Sequence, residues 1–429
     1  MSGLLALVFA GGMLASLPIA FAMGLAGAVV LIAADIASPL IIAQRLFSGI
    51  DSFPLMAIPF FILAAELMSG GGITDLLLRF AVQAIGRIKG GLGHANILMS
   101  IFFAGISGSA LADAAGPGSI IIRMMRQAGY AAPYAAAVTA ASAIIAPIIP
   151  PSIIMVIYAL TDNSVSVGAL FMAGIVPGLL MGLVLAVTNH LISARRGYGG
   201  GQPRRPWGDY LRRDWTVFPA LLLPFIILGG IHGGVFTPTE ASAVAVFYAL
   251  LIGLVVTRTL TLAMLPGILV RTALMTSAVL LIISMASVFA WMLTSLQIPQ
   301  DISRFLLSLG LPRLGLLVVI ALFLLACGLV IDTLPAVIIL VPILAPVATA
   351  AGIDPLQFAM VVILNLTIGM ITPPVGGVLF VITVVARIPM GQIVRAIWPF
   401  LLAHLVVLAA IILFPGISNG LPGLMGYTR

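Results

Sequence analysis

The residues of this chain that could do chemistry are few, and they fall into two matched groups. The stretch 101–152 begins IFFAGISGSALADAAGPGS and ends AIIAPIIPPS. It carries a small-residue tip (Ser107, Gly108, Ser109), an acid (Asp113) and an apolar run broken by Pro147, Pro150 and Pro151. The stretch 322–376 reads LFLLACGLVIDTLP and later NLTIGMITPPVGG, with Asp332 as its acid and Pro373–Pro374 as its proline pair. The two acids lie 219 residues apart and the two proline pairs 223 apart, about half of the 429-residue chain. One unit has been duplicated, and each copy carries irregular backbone inside an apolar segment, the pattern of a transporter with internal repeats and broken helices.

A proline inside a helix removes one backbone hydrogen bond and frees the carbonyl four residues earlier. Pro150 and Pro151 would free the carbonyls of Ala146 and Pro147, and Pro373 and Pro374 those of Gly369 and Met370. Such groups are costly in hydrocarbon and must face protein, water or a bound ion. Sodium, a hard cation, takes oxygen ligands, and unwound carbonyls supply them in broken helices. Asn365, Thr367 and Thr372 add polar side chains around the second break, and Ser142 and Ser152 around the first. Sodium is therefore expected at both breaks. The plainer alternative is a pair of kinks satisfied by neighbouring helices, with each serine or threonine bonded back to its own helix.

Asp113 and Asp332 each cost about 3 kcal/mol at mid-span on insertion scales. They could ligate an ion or could order the tips by accepting backbone N–H bonds, and their positions just past the tips suit the supporting role. Glu66 and Glu240 sit at span ends, where a solvated or capping role is expected. His94, His190, His232 and His404 are scattered without metal-ligand spacing. No Walker-type phosphate loop occurs, so ATP is not expected as the energy source.

These residues must be positioned by a membrane-embedded helical fold. The chain is 62% hydrophobic and 7% charged, with mean hydropathy +1.28, against about 25% charge in soluble domains. Its net charge of +7 is concentrated in short loops and reads as topology information, not a nucleic-acid footprint. One cysteine, Cys327, lies in an apolar run, which excludes a disulfide framework or thiolate cluster. The first apolar run is too long for a signal peptide and is expected to remain as a span.

Spans are expected at 4–34, 53–68, 134–160, 168–193, 215–231, 240–257, 272–296, 358–386 and 397–414, with 35–51 along the interface. Re-entrant hairpins are expected near 97–125 and 314–350. Arg195, Arg196, Arg204, Arg205, Arg212 and Arg213 mark 195–214 as a cytoplasmic linker between a first repeat, 1–194, and a second, 215–429. Nine spans place the N-terminus in the cytoplasm and the C-terminus outside. The hairpins then enter from opposite faces, so the repeats are inverted. Arg304 and Arg313, on the outer side in this scheme, fit it least well.

The runs SGSALAD, APIIPPS, CGLVIDTLPA and GMITPPVGG together resemble the large membrane subunit, DctM type, of tripartite ATP-independent periplasmic (TRAP) transporters, within the wider ion-transporter superfamily. The likeness covers essentially the whole chain. It implies an elevator-type, sodium-driven permease in the bacterial inner membrane, in which a two-hairpin transport domain slides against a scaffold. It also implies a small four-helix membrane subunit and a soluble periplasmic binding protein as partners, and organic acids such as C4-dicarboxylates or sialic acids as substrates. By motif the family's ion sites fall on Ser107, Gly108, Ser109, Gly328, Gly369 and Thr372. The second tip, CGLVID, lacks the serines of the first, so its ligands would be mostly backbone.

A stand-alone sodium- or proton-coupled carboxylate permease or antiporter of the same superfamily would carry the same hairpin chemistry. An intramembrane aspartyl protease would need a Gly-x-Gly-Asp motif, which neither ALAD nor LVID provides. Duplicated broken spans favour occluded sites over the open pore of a channel.

Overall fold

The computed structural model describes residues 1–35, 37–199, 208 and 215–427. The described residues are helices and turns, with no strand among them. Arg204, Arg205, Arg212 and Arg213 lie outside the described residues.

The first apolar run is two helices, not the single span expected over 4–34. α1 (Ser2–Leu14) and α2 (Ile19–Ala34) pack on each other across a turn. Pro18 cannot continue α1, because it lacks an N–H and clashes with the preceding turn. At 13 and 16 residues each helix is shorter than the ~20 residues that cross a bilayer. α3 (Leu40–Ser48) follows, amphipathic and seated on a later long helix, where Arg45 lies 5.6 Å over the ring of Trp291. A 3-10 turn (Phe53–Met56) leads into α4 (Ala57–Gly70).

The run of elements that begins with α4 has a counterpart in the second half. In the first half they are α5 (Ile73–Ile85), α6 (Gly91–Ser107), α7 (Ala110–Ala115), α8 (Pro117–Gln127), α9 (Ala132–Ala143), α10 (Ile153–Thr161) and α11 (Val167–Arg196), with α4 before them. After α12 (Val217–His232) and α13 (Pro238–Leu251, extended by a π turn at Ile252–Val256), α14 (Leu265–Ser295) takes the place of α4. Then come α15 (Ile298–Ser308), α16 (Arg313–Gly328), α17 (Thr333–Ala350), α18 (Pro355–Gly369), α19 (Gly377–Ala386) and α20 (Met390–Leu413), with α21 (Gly416–Leu424) at the end. The second copy replaces α7 and α8 by the single helix α17.

Two of these elements were not expected. α5 and α15 are amphipathic helices in stretches to which the sequence assigns neither a span nor a hairpin. Arg304 bonds Asp301 one turn away on α15 at 2.5 Å. Arg313 donates to the Gln357 amide oxygen at 3.2 Å.

Among the described residues, six segments are long and apolar enough to cross a membrane: 53–70, 167–196, 238–256, 262–295, 333–350 and 390–413. The helices flanking the two proline breaks are shorter. α9 and α18 have 12 and 15 residues, and α10 and α19 have 9 and 10. At 1.5 Å per residue none exceeds about 23 Å, so each pair needs both halves to make one crossing of a core about 30 Å thick. α9 and α18 are also buried on nearly every side, as suits apolar helices at the centre of a bundle.

A polar side chain near its start anchors each inner helix. Tyr134, near the start of α9, donates to the Asn189 side-chain oxygen on α11 at 2.7 Å. Gln357, near the start of α18, donates to the carbonyls of Ile411 and Ile412 on α20 at 3.0 and 3.1 Å. Tyr134 and Gln357 are 223 residues apart, as are Asn189 and Ile412, the spacing of the proline pairs. The spacing of the proline pairs therefore recurs in packing.

The copies also interlock. α10 packs on α17 of the second copy, and α19 packs on α7 and α8 of the first. A separate layer is formed by α1–α4, α13 and α14, which pack mainly among themselves.

Candidate functional site

Each tip rests on a proline break. α6 ends at Ser107, Gly108 turns the chain in the left-handed region (φ 57°), and extended Ser109 starts α7 by accepting from the Ala112 N–H at 3.4 Å. A Cβ on Gly108 would strike the Pro151 carbonyl oxygen and come within 3.1 Å of the Ser152 Cα. Only glycine meets both the backbone angle and the clearance. In the second copy α16 ends at Gly328 against the end of α18. A Cβ on Gly369 would lie 2.5 Å from the Gly328 carbonyl oxygen, and one on Gly328 3.3 Å from the Gly369 Cα. Thr333, just past this tip, donates to the Leu366 carbonyl at 3.3 Å.

The carbonyls at the breaks fare differently. The Ser152 hydroxyl donates to Pro147 O at 2.6 Å, and Ala146 O receives no hydrogen bond among the described residues. In the second break Gly369 O accepts from the Thr372 N–H and Met370 O from the Val378 N–H, both at 3.0 Å. Those two oxygens each keep one lone pair for a further donor or cation. Thr372 and Thr367 bond back to Ile368 O and Ile363 O at 2.8 and 2.6 Å. Asn365 is wholly buried, and neither amide atom has a partner. Both proline pairs, Pro150–Pro151 and Pro373–Pro374, are cis.

The acids are not equivalent. Asp113 is buried beside Ser100 with Oδ2 unpartnered. It belongs to a polar ladder between hairpin and inner helix, whose rungs are Asn96–Thr139 at 2.7 Å and Ser100–Ser142 at 3.0 Å. Asp332 sits at the N-cap position of α17 without a side-chain cap bond. A Cβ on Gly377 would lie 3.9 Å from its Oδ1, so the carboxylate faces the start of α19, where helix N–H groups favour negative charge.

A cavity of about 250 Å³ lies where these parts meet. Of the residues singled out in the sequence, it is lined by Ser107, Gly108, Ser109, Pro147, Asp332 and Met370. Ala146, Gly328, Gly369 and Thr372, at or beside the breaks, do not line it. Asn365 opens instead on an apolar cavity between α16, α18 and α20. The opposite wall comes from the separate layer, through Ile62, Ala65 and Glu66 of α4 and Met275, Ala278 and Val279 of α14.

Sequence reasoning missed that wall. Glu66 reads as a solvated span end, yet it lines the cavity and pairs with Arg271 of α14 at 2.7 Å. The one available signal was an acid and an arginine near the ends of long apolar runs. Glu240 does cap its helix: Thr237 and Glu240 form a reciprocal capping box at the start of α13.

Broken half-helices around an internal cavity, in an all-helical chain with several apolar helices, define a membrane transporter. Residues 6–417 match the family described as "Tripartite ATP-independent periplasmic transporter, DctM component", and the chain belongs to that family. It is 42% identical over 426 residues, 99% of this chain and 98% of the other, to the sialic acid TRAP transporter large permease protein SiaM of Vibrio cholerae. It is 40% identical to the 2,3-diketo-L-gulonate TRAP transporter large permease protein YiaN of Escherichia coli, covering 94% and 95% of the two chains. The C4-dicarboxylate large permease protein DctM of Pseudomonas aeruginosa is 39% identical, with 94% of each chain covered. These relatives are permease subunits, and the chain is accordingly a transporter subunit and not an enzyme.

Two solved transporters share the fold at low identity. YdaH of Alcanivorax borkumensis has TM-score 0.57 and 15% identity, with 89% of this chain and 88% of that one covered. MtrF of Neisseria gonorrhoeae has TM-score 0.56 and 16% identity, covering 89% and 85%.

Proposed function

We propose that the chain is the sodium-coupled permease subunit of a TRAP system that imports an organic acid. One observation carries this reading: both tips and both proline breaks converge on one cavity walled on its far side by α4 and α14. The relatives' names supply the substrate class, since sialic acid, 2,3-diketo-L-gulonate and C4-dicarboxylates are all carboxylates. Sodium sits at the two junctions, held by Ser107, Gly108, Ser109 and the Ala146 and Pro147 carbonyls at one. Gly328, Gly369, Met370 and Thr372 form the other, and Asn365, turned to the cavity beside α16 and α20, is outside it. The residues at the breaks fit a hard cation, because Ala146 O has no donor and Gly369 O and Met370 O each keep a lone pair. Asp113 and Asp332, with the proline pairs, hold the irregular backbone in shape.

Transport follows from the two-layer build. The tip-bearing layer slides as an elevator against α1–α4, α13 and α14, carrying acid and sodium together, and the two copies are inverted in the membrane. The partners are a small membrane subunit and a periplasmic binding protein. Reconstituted with both partners under a sodium gradient, the chain takes up the acid its binding protein carries, with N-acetylneuraminate, 2,3-diketo-L-gulonate and succinate as probes. Without the binding protein uptake drops at least about tenfold; equal uptake in its absence would instead make the chain a stand-alone permease.

Orientation has its own test. The basic residues put the α11–α12 connection in the cytoplasm, and the turn after α10 outside. With Cys327 replaced by alanine, a cysteine at Asn163 reacts with an impermeant maleimide in intact cells and one at Arg205 does not. The reverse pattern would overturn both the orientation and the inversion.

A further inference from the structure

A second recess, of about 720 Å³, opens between α8 and the end of α19, away from the tip cavity. Three arginines line it, Arg123 and Arg126 from α8 and Arg387 just past α19, beside Gln127 and Ser119. No carboxylate lines it, and the ion pairs Glu66–Arg271 and Asp301–Arg304 lie elsewhere. Arg126 donates to the Ala386 carbonyl at 3.2 Å, which holds its guanidinium against the negative end of α19. Arg387 follows in the left-handed region (φ 54°), where the chain turns out of the helix. Arg123 and Arg387 make no side-chain hydrogen bond among the described residues.

We propose that this recess binds a phosphate group, carried by the headgroup of an anionic phospholipid. Three guanidinium forks converging without a counterion suit an anion with several acceptor oxygens, and phosphate offers more of them than a carboxylate. The volume leaves room for more than the bare ion. One wall is apolar, formed by Ile122 and Val385, and α19 presents an exposed apolar stripe beside it at Phe380 and Val384. Charge at one end and an apolar stripe leading away from it match an acidic lipid. Basic recesses between membrane helices are suited to such headgroups. A ligand there would clamp α8 of the first copy to α19 of the second.

The probe lipid is phosphatidylglycerol, offered to the delipidated full-length chain in detergent. Diacylglycerol with the same acyl chains serves as the phosphate-free control, and inorganic phosphate as the soluble source. Native mass spectrometry and thermal unfolding read binding. Phosphatidylglycerol is expected to bind and raise the melting temperature, diacylglycerol to do neither, and R123Q/R387Q to weaken lipid binding about tenfold or more. Stabilisation by inorganic phosphate that also depends on these arginines would keep the phosphate site and make its source soluble. Equal binding of diacylglycerol, or undiminished lipid binding by the variant, would overturn the proposal. Should R123Q/R387Q melt early without lipid, R123K/R387K keeps the charge and loses the forks. It must then still bind more weakly than the native chain.

Discussion

Replacing Gly369 with leucine is expected to reduce uptake to about 1% of the native rate or less. Even a methyl group at this position would stand 2.5 Å from the Gly328 carbonyl oxygen, and that neighbour is backbone, which cannot swing aside. The end of α16 must therefore move off α18, taking the second tip with it. Overpacking of this kind costs about 1–3 kcal/mol, within reach of a membrane protein that stays folded. The functional loss is larger, because displacements of about 1 Å at a reacting or binding site can cost a hundredfold. Gly391 in α20 is the control. A Cβ there meets nothing within 4 Å, so Gly391→Ala should transport normally and gain a little from alanine's better helix propensity. Comparable uptake by the Gly369 and Gly391 variants, at equal membrane abundance, would mean that close seating of the tip on the break is not required for transport.

The second large effect concerns the coupling ion. Ser107→Leu and Thr372→Leu each put a bulky apolar group at one junction, and each is expected to lower sodium-driven uptake at least about tenfold. Sodium-free buffer, with potassium substituted and the proton gradient collapsed, should abolish uptake by the native chain. Where sodium charges outnumber those of the acid carried, a potential of 100 mV, negative inside, adds about 2.3 kcal/mol of driving force per net charge moved inward. Uptake then rises when such a potential is imposed. Undiminished transport without sodium would remove the ion from the mechanism.

How much of this was readable beforehand varies from element to element for physical reasons. The tips and breaks were legible because proline and glycine mark backbone that side-chain patterning cannot disguise, and because each occurs twice at nearly the same spacing. The Pro18 turn was hidden, since the apolar run passes straight through it and hydropathy reports burial, not chain direction. α5 and α15 were missed because an amphipathic helix interleaves polar and apolar residues and gives no long apolar run, although α5 buries one face in the core and α15 does not. The carbonyls of Gly369 and Met370 were expected to be free, yet the Thr372 N–H closes a tight turn onto Gly369 O before the prolines, and the chain beyond them folds back so that the Val378 N–H reaches Met370 O. No residue count predicts that return. Glu66 was read as a solvated span end, because its meeting with Arg271 depends on how α4 packs on α14, a contact between residues 205 apart.

The central claim is that the two tip-on-break junctions bind sodium, and thermal unfolding of the purified chain tests it without knowledge of the acid transported. Melting is compared in sodium chloride and in potassium chloride at equal ionic strength, for the native chain and for Ser107→Leu/Thr372→Leu. A site filled at a hundredfold its Kd stabilises by about 2.7 kcal/mol. The native chain should therefore melt several degrees higher in sodium, and the double variant should melt alike in both salts. Identical melting of the native chain in sodium and potassium, across a range of concentrations, would contradict the claim.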